Sequence, residues 1–523
     1  MCLYNEHKQE LQVCKSSLVR MPYLKNRKVV ILSLLFIIVC GCNFPFPKPR
    51  DYASEIPFPT DHPYQTQSAI STSSIASTNS YINLIQTPST KINGVFQYYA
   101  QSGDTLNTVA KHFGVDPSLI FSEYSIDPAK MLTPGQLLQI QDALGETYSS
   151  ALLLPDSEVI FSPSAADFDI QDTITALGGY LVTFQQQVGK ELLSGAEIVK
   201  RVAANTFINP RLLLAIIEYR SHWLTSVPAV IDTTYPLGFH YSEYQGFYLE
   251  CSLAAKLLNK GYYGWREGLF TSFIFFNRSE IRIPPQSNAG TVALQYFFAQ
   301  IYPQSNWEAN LYGPDNFLML YQQLFGDYWQ RAESVEPIFP GGLTVPTLEL
   351  PFATGQEWSL TGGLHVDWNS GTPSGALDFA PVTGEPRCST SRAWVLAAAP
   401  GEVVRSSQNI VVIALEDQQL MKTGWELFYM HIANQESITA GTQVNLDERI
   451  GHPSCEGGLT TGTHVHIARK HKGEWIGAGD PLPLVLSGWE AVPGEKQFQT
   501  SLVKGGQVVT ASQDGGINSR IFR

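Results

Sequence analysis

Positive charge is scarce in this chain of 523 residues. Lys and Arg together number 34 against 47 Asp and Glu, which leaves a formal net charge of −13. A general nucleic-acid binder needs a basic face, so the net charge argues against that class of function. Charged residues of both signs make up only 15% of the chain, while Ser, Thr, Gly and Pro are plentiful, a mixture common in exported proteins. A chain of this length is expected to form two to four domains rather than one core.

One early segment departs from this composition. The basic cluster Lys25–Lys28 precedes "VVILSLLFIIVCGC", an apolar run that ends at Cys42. A basic region followed by a short apolar region predicts a secretory signal, with a transmembrane anchor as the alternative and Met21 as an alternative start. The ending "VCGC" resembles a bacterial lipobox. This resemblance implies lipidation of Cys42 and attachment to the outer face of a membrane or envelope, facing the cell wall.

Cysteine is also scarce, with seven residues in the whole chain. Removal of the signal would take away Cys2, Cys14 and Cys40, and Cys42 would carry lipid. Export permits disulfides, so a bridge between Cys388 and Cys455 is a candidate, with Cys251 left over. The sequence alone leaves this pairing open.

Residues 43–94 are rich in Ser, Thr, Pro and Asn and lack apolar periodicity. This composition predicts a disordered stalk. Residues 95–143 then follow a β-α-α-β pattern, in which Asp116-Pro117 begins the second helix and Gln136–Ile140 forms the closing strand.

The segments "SGDTL" and "TPGQLLQI" resemble the two ends of a LysM domain. The resemblance implies binding of N-acetylglucosamine-containing glycan. By position, the glycan-binding residues would be Gly103, Asp104, Thr105 and Leu106. The alternative is that Gly103 and Asp104 only form a turn and a helix cap.

Residues 150–335 are predicted to be mainly helical. A capping box begins at Ser194, and Asn209-Pro210 caps the apolar segment "RLLLAIIEYRSHW". The segments "NPRLLLAIIEYRS" and "NAGTVALQ" resemble lysozyme-like transglycosylases. By this resemblance, Glu218 is the candidate general acid for glycan cleavage, and a raised pKa is expected for it after an apolar run. A helical scaffold or binding domain without catalysis is the alternative, which we favour.

Histidines concentrate near the C-terminus, where six of the eleven lie between His365 and His471. In "THVHIA", a strand would direct His464 and His466 to the same face, because side chains two positions apart share a face. A catalytic zinc typically has three protein ligands and one open position. Further candidates are His365 after a Gly turn, Asp378 on a predicted strand, and His431 in the apolar run "ELFYMHIA".

The spacing His365-x12-Asp378, the "YMH" strand and the "HVH" strand resemble the beta-lytic and lysostaphin-type zinc endopeptidases, over roughly residues 345–490. The resemblance implies one Zn²⁺ held by His365, Asp378 and His466, with His431 and His464 as catalytic neighbours. It also implies cleavage of peptide stems or cross-bridges of peptidoglycan. Which of His431 and His464 is the general base stays open. His452, His471 and Asp367 are interpreted as surface or turn residues.

The predicted fold class is therefore multidomain. It comprises a LysM-like β-α-α-β module, a mainly α-helical and lysozyme-like middle domain, and an antiparallel β domain of the lysostaphin-type peptidase kind. Two alternative functions stay open: a non-catalytic peptidoglycan-binding scaffold or regulator, and a dual enzyme whose helical domain also cleaves glycan. The predicted boundaries are 1–42 (signal), 43–94 (stalk), 95–143 (LysM), 150–335 (helical domain), 343–495 (peptidase domain) and 496–523 (a hairpin around Gly505-Gly506 and a polar tail).

Overall fold

The computed structural model describes residues 80–87, 90–144, 147–368, 371–416, 422–458, 460–494 and 498–523. The predicted signal, the lipidation at Cys42 and most of the stalk lie outside these residues. The described residues belong to one compact unit. Every helix among them is too short or too polar to span a membrane.

A helix lies within the predicted stalk, so the prediction of disorder up to residue 94 was wrong at its end. This helix, the first in the described residues, starts after Ser80, whose hydroxyl accepts a hydrogen bond from the Asn83 N–H. Its buried residues Ile82 and Ile85 pack against Ala332 of a distant helix. The buried face consists of only these two residues within a Ser- and Thr-rich stretch, so it was too small to be recognised as a helix signal.

Residues 91–141 form a small antiparallel sheet with one helix packed on it. Thr105 caps the helix, and Gly114 ends it with a left-handed φ of 66°. The predicted second helix was wrong, because Pro117–Leu119 forms only a single 3-10 turn before a short strand. The strand order is β1-β2-β4-β3. The elements up to this point are α1 (Tyr81–Gln86), β1 (Lys91–Ile92), β2 (Val95–Tyr99), α2 (Leu106–Phe113), β3 (Ile120–Phe121) and β4 (Leu137–Gln141).

Residues 150–335 are mainly helical, as predicted, with two small hairpins. The predicted capping box is present, since Ser194 and Glu197 exchange side-chain and backbone hydrogen bonds. Asn209 caps the next helix with Pro210 in its first turn, as predicted. The elements are α3 (Ile170–Leu177), β5 (Gln185–Val188), β6 (Glu191–Ser194), α4 (Gly195–Thr206), α5 (Pro210–Ser221), α6 (Phe247–Arg266), β7 (Ser272–Ile274), β8 (Glu280–Arg282), α7 (Ala289–Ala299), α8 (Gln304–Tyr312), α9 (Phe317–Phe325) and α10 (Tyr328–Ala332).

The C-terminal region is an antiparallel β structure, as predicted. Its main sheet in the described residues has the order β15-β12-β13-β14-β17-β10-β9-β23, and β18 also pairs with β17. The strands are β9 (Glu357–Val366), β10 (Ser374–Pro381), β11 (Val395–Leu396), β12 (Gly401–Ser407), β13 (Ile410–Glu416), β14 (Lys422–Met430), β15 (Gln443–Val444), β16 (Arg449–Gly451), β17 (Val465–His471), β18 (Glu474–Trp475), β19 (Val485–Leu486), β20 (Trp489–Val492), β21 (Ser501–Lys504), β22 (Gln507–Thr510) and β23 (Arg520–Phe522).

The last residues of the chain are part of this sheet rather than a free polar tail. The predicted hairpin around Gly505-Gly506 is present as β21 and β22. Beyond it, β23 pairs with the outer edge of β9, with Ile521 opposite Trp358. The prediction of a polar tail was therefore wrong. The strand has a weak sequence pattern, because Ile521 is its only buried apolar residue.

The helical and β regions share one hydrophobic core. Phe207, at the end of α4, packs edge-on against Phe428 and Trp475 of the sheet. The Arg266 guanidinium of the helical region forms ion pairs with Asp156 of the same region, at 2.7 Å, and with Glu474 of the sheet, at 2.8 Å. These contacts fix the helical region against strands β14, β17 and β18.

Candidate metal centre

Three adjacent strands carry the candidate metal ligands. His365 lies near the end of β9, Asp378 on β10 and His466 on β17, and β10 is the middle strand of the three. Asp378 is directly opposite His466 in the β10–β17 register. Because neighbouring strands are about 5 Å apart, side chains on one face at these positions meet.

The three side chains converge on one carboxylate oxygen. Asp378 Oδ1 is 3.2 Å from His466 Nδ1 and 3.4 Å from His365 Nε2. His365 Nε2 and His466 Nδ1 are 3.1 Å apart. One ligand atom from each residue lies within 4.8 Å of the others. The structure thus brings together the three residues that the sequence predicted as ligands.

Backbone carbonyls determine which nitrogen of each imidazole carries the proton. His365 Nδ1 is 2.8 Å from the Gly363 carbonyl, and His466 Nε2 is 2.7 Å from the Asp367 carbonyl. A carbonyl oxygen can only accept, so each of these nitrogens is the N–H donor. The other nitrogen of each ring then directs a lone pair at Asp378, as in a metal-binding histidine.

The carboxylate is held ionised and without a hydrogen-bond donor of its own. Asp378 Oδ1 is buried and has no donor among the described residues. Burial would raise the pKa of Asp378, but the positive charges that His365, His466 and His464 carry when protonated hold it below its ordinary value. Gly362 leaves room for the other oxygen, because a Cβ at this position would lie 2.1 Å from Asp378 Oδ2. An orphaned anionic oxygen beside two imidazole lone pairs fits a divalent cation such as Zn²⁺.

His431 and His464 form the other wall of the cluster. Their rings are 4.5 Å apart, and His464 Nε2 is 3.8 Å from Asp378 Oδ1. His431 Nδ1 donates to the Glu456 carbonyl at 2.8 Å, and His464 Nδ1 to the Gly462 carbonyl at 2.7 Å. In its neutral form each ring therefore has its lone pair on Nε2. Burial, followed by the neighbouring His464, lowers the pKa of His431 to about 4, so its imidazole is neutral at pH 7.

The candidate disulfide is present beside this wall. Cys388 and Cys455 are bonded, with their Cα atoms 5.0 Å apart, and Cys251 is free and buried.

Comparison with known proteins places the chain near metalloendopeptidases. The family model described as "LasA, N-terminal domain" matches residues 152–338. The beta-lytic metalloendopeptidase of Achromobacter lyticus is 28% identical over 196 residues, which is 35% of this chain and 48% of that protein. The chain thus spans about half the length of this relative. Protease LasA of Pseudomonas aeruginosa is 24% identical over 345 residues, 63% of this chain and 76% of that protein.

Solved structures of similar proteins include the M23 metalloprotease pseudoalterin from the deep sea, at 23% identity. The similarity covers 34% of this chain and 99% of that structure, with a TM-score of 0.29. A zinc-containing peptidase from Vibrio cholerae is 18% identical, covering 27% of this chain and 41% of that structure, with a TM-score of 0.20. The curated relatives thus include beta-lytic metalloendopeptidases and LasA proteases.

The middle region matches the LasA N-terminal domain, and the geometry of Glu218 does not support the predicted role in acid catalysis. Glu218 Oε2 accepts the Leu224 N–H at 2.8 Å, and its Oε1 accepts the Thr225 hydroxyl. Burial would raise its pKa, but hydrogen bonds from His222, Thr225 and Leu224 hold it below the ordinary value. The predicted raised pKa was wrong. Both oxygens stabilise the turn that follows α5.

The predicted glycan-binding loop is buried against the helical region. A Cβ on Gly103 would lie 2.9 Å from Arg266 Nη1 and 3.0 Å from a ring carbon of Phe339. Asp104 is 7% exposed, and its carboxylate accepts hydrogen bonds from the Tyr98 hydroxyl and the Gln101 N–H. Gly103 and Asp104 therefore contact protein rather than ligand. This is a correction to the predicted glycan groove.

Thr105 and Leu106, the other two predicted glycan-binding residues, are half-buried at the start of α2. The Thr105 hydroxyl accepts the Thr108 N–H and caps the helix. The structure thus shows the turn and helix cap that was the alternative interpretation, although the cap is Thr105 rather than Asp104.

Asp367, His452 and His471 were expected to be surface or turn residues, and all three are buried, at 0%, 8% and 1% exposure, although Asp367 does lie in a bend. The backbone of Asp367 orients His466, which sequence reasoning missed. Only its position two residues after His365, at the end of the same strand, could have indicated such a contact.

Proposed function

We propose that this chain is a zinc-dependent endopeptidase that cleaves the peptide stems or cross-bridges of peptidoglycan. One observation carries the proposal: the lone pairs of His365 Nε2 and His466 Nδ1 and the orphaned Oδ1 of Asp378 point at one another across less than 4 Å. Three such ligands leave a position open for substrate, as in catalytic zinc sites. The names of the curated relatives support a metalloendopeptidase.

The three ligands would hold the metal without rearrangement of their protons, since backbone carbonyls already fix the tautomers of His365 and His466. Bound there, zinc would supply Lewis-acid polarisation of the scissile carbonyl. The anionic Asp378 keeps the ligand set at one negative charge.

His431 and His464 would move the proton. In the neutral form of each ring the lone pair is on Nε2, because Nδ1 donates its proton to a backbone carbonyl. Such a nitrogen can accept a proton from the attacking water and return it to the leaving amine. The two rings lie together, so either can serve as the base, and the ring that takes the proton can then donate a hydrogen bond to the developing oxyanion.

The test compares zinc content and peptide release for the full chain and two variants. His466→Ala removes a ligand, and His240→Ala is the matched control, an exposed histidine of the helical region. We expect wild type and His240→Ala to bind zinc and to release peptides from purified peptidoglycan, detected by mass spectrometry. His466→Ala should do neither while keeping the wild-type circular dichroism. Peptide release that persists in His466→Ala, or in wild type stripped of zinc, would contradict the proposal.

We further propose that the protein is exported and lipid-anchored to the outer face of the cell membrane or envelope. The basic cluster, the apolar run and "VCGC" before Cys42 support this location, which would bring the enzyme to the cell wall. Tethering raises the local concentration of enzyme at its substrate. Cys42→Ala should move the protein from the membrane fraction to the soluble fraction, and an unchanged distribution would exclude the anchor.

A further inference from the structure

Two short segments surround His431 and His464, and each segment contains one of the two bonded cysteines. The first runs from Ser454 to Glu456 and includes Cys455. The second runs from Cys388 to Ser389. The disulfide joins them, and the two cysteines are 67 positions apart in the sequence.

The segment Ser454–Glu456 holds His431 through three hydrogen bonds. The Ser454 N–H and the Ser454 hydroxyl both donate to the His431 carbonyl, at 2.8 and 3.0 Å. The His431 Nδ1–H donates to the Glu456 carbonyl at 2.8 Å. His431 has a φ of 64°, in the left-handed region that non-glycine residues rarely adopt. This backbone conformation therefore depends on the contacts around it.

The other histidine is linked to the same pair of segments. Ser454 forms an isolated β-bridge with His464. Thr463, the residue before His464, donates its hydroxyl to the Ser389 carbonyl at 2.7 Å, directly after Cys388. The disulfide thus ties together the backbone groups that orient both histidines.

The metal ligands are held differently. His365 is oriented by the Gly363 carbonyl within its own strand, and His466 by the Asp367 carbonyl at the end of β9. Neither contact involves the two cysteine-containing segments. Loss of the disulfide should therefore disturb the proton-transfer pair and leave the ligand set intact.

We propose that the Cys388–Cys455 disulfide and Ser454 are positioning elements for His431 and His464. Their role is to set the direction of the two Nε2 lone pairs toward the substrate. The proposal rests on the proposed peptidase function. It predicts that loss of the disulfide lowers kcat while KM and zinc content stay unchanged, a result that a purely structural disulfide would not produce.

The test uses the full chain as wild type, as the double variant Cys388→Ser/Cys455→Ser and as Ser454→Ala. Misplacement of a catalytic group by about 1 Å costs roughly 100-fold in rate, so we expect a fall of about that size in kcat for the double variant. Ser454→Ala keeps the disulfide and loses one hydrogen bond to His431, so its kcat should fall by less. Zinc content and KM should stay within about twofold for both variants.

Two controls separate positioning from stability. Cys251→Ala removes the free buried thiol of the helical region, and its kcat should equal that of wild type. Leu502→Ala opens a cavity in the core of the β region away from the cysteines, and it should lower the melting temperature without lowering kcat at a temperature where it is folded. All assays are run where circular dichroism shows a folded protein.

A second readout does not depend on activity. In ¹⁵N-labelled protein, the Nδ1–H of His431 should give a slowly exchanging resonance, assigned by its absence in His431→Gln. The resonance should disappear in the double variant, while those of His365 and His466 remain. A full kcat in the double variant, a loss of zinc in parallel with activity, or a persisting His431 resonance would overturn the proposal. A wild type that binds zinc, shows the resonance and cleaves nothing would instead refute the proposed function alone.

Discussion

The cluster around Asp378 and the turn around Glu218 both bury a carboxylate, and they use it in opposite ways. Asp378 Oδ1 has no hydrogen-bond donor among the described residues and is surrounded by imidazole lone pairs. Glu218 accepts from the backbone N–H groups of Leu224 and Thr225 and from the Thr225 hydroxyl. Its oxygens are already satisfied by the fold.

This difference shows which observation distinguishes a carboxylate that can bind a metal from one that only stabilises the fold. Both carboxylates follow apolar residues in the sequence, and the surroundings lower the pKa of both. Burial and charge therefore do not distinguish them. What distinguishes them is whether the neighbours donate hydrogen bonds, because an oxygen with donors is stabilised by the protein itself, whereas an oxygen facing lone pairs needs a cation.

The largest expected effect comes from filling the space beside Asp378. Gly362→Ala would place a Cβ 2.1 Å from Asp378 Oδ2 and displace the carboxylate from the ligand cluster. We expect metal affinity and peptidase activity to fall by about 10- to 100-fold or more. Competition with a zinc chelator measures the affinity. Gly384→Ala is the matched control, since a Cβ there meets nothing within 4 Å. Equal zinc affinity in both variants would refute the assigned ligand geometry.

The next effect concerns Glu218 and should appear in stability rather than activity. Glu218→Gln keeps the shape but weakens the bonds to Leu224 and Thr225, so we expect a loss of about 1–3 kcal/mol in the free energy of unfolding. Peptide release from peptidoglycan at a temperature below the transition should be unchanged. Urea denaturation and product analysis measure the two quantities. Release of cleaved glycan by wild type that vanishes in Glu218→Gln would restore the catalytic interpretation.

A smaller effect is the pH dependence of that stability difference. The ordinary pKa of a glutamate is 4.5, and the pKa of Glu218 is lowered in the folded state. A depressed pKa means that the ionised carboxylate stabilises the fold at pH values above 4.5, and that this contribution is lost as the pH falls through the folded pKa. The difference between wild type and Glu218→Gln should therefore shrink as the pH falls below about 4.5. A difference that grows below that pH would show that the pKa is raised instead.

The last prediction is that a substitution in the predicted glycan-binding loop leaves glycan binding unchanged. Asp104→Asn changes a carboxylate that is buried against the Tyr98 hydroxyl and the Gln101 N–H, away from any ligand. We expect retention on an insoluble N-acetylglucosamine polymer to be the same for wild type and variant, whether strong or absent. Retention by wild type that is lost in a folded Asp104→Asn would show that this loop opens to glycan.

The grouping of His365, Asp378 and His466 was predicted through the resemblance of their spacing to that of zinc endopeptidases, whereas strand periodicity alone predicted only that His464 and His466 share a face. The helix caps at Ser194 and Asn209 have local patterns and were predicted correctly. Periodicity and capping depend on residues within one turn or one strand, so the sequence contains all the information that they need.

Other features depend on contacts between distant parts of the chain. The burial of Gly103 follows from Arg266 and Phe339, which no local pattern links to it. The state of Glu218 depends on where the chain turns after α5, a feature without a sharp sequence signal. The carbonyl that orients His466 belongs to Asp367, about a hundred residues away along the chain. In each case the sequence shows the residue itself but not which distant residue it contacts.

The pairing of β23 with β9 has a consequence for how the protein is made. The strand that carries His365 has one edge open until residues 520–522 have been synthesised and have folded back to Glu357–Ser359. An unpaired edge is a template for association with other chains, and pairings this distant in sequence form slowly. Until residues 520–522 pair with it, the strand that carries His365 therefore exposes an edge that can associate with other chains.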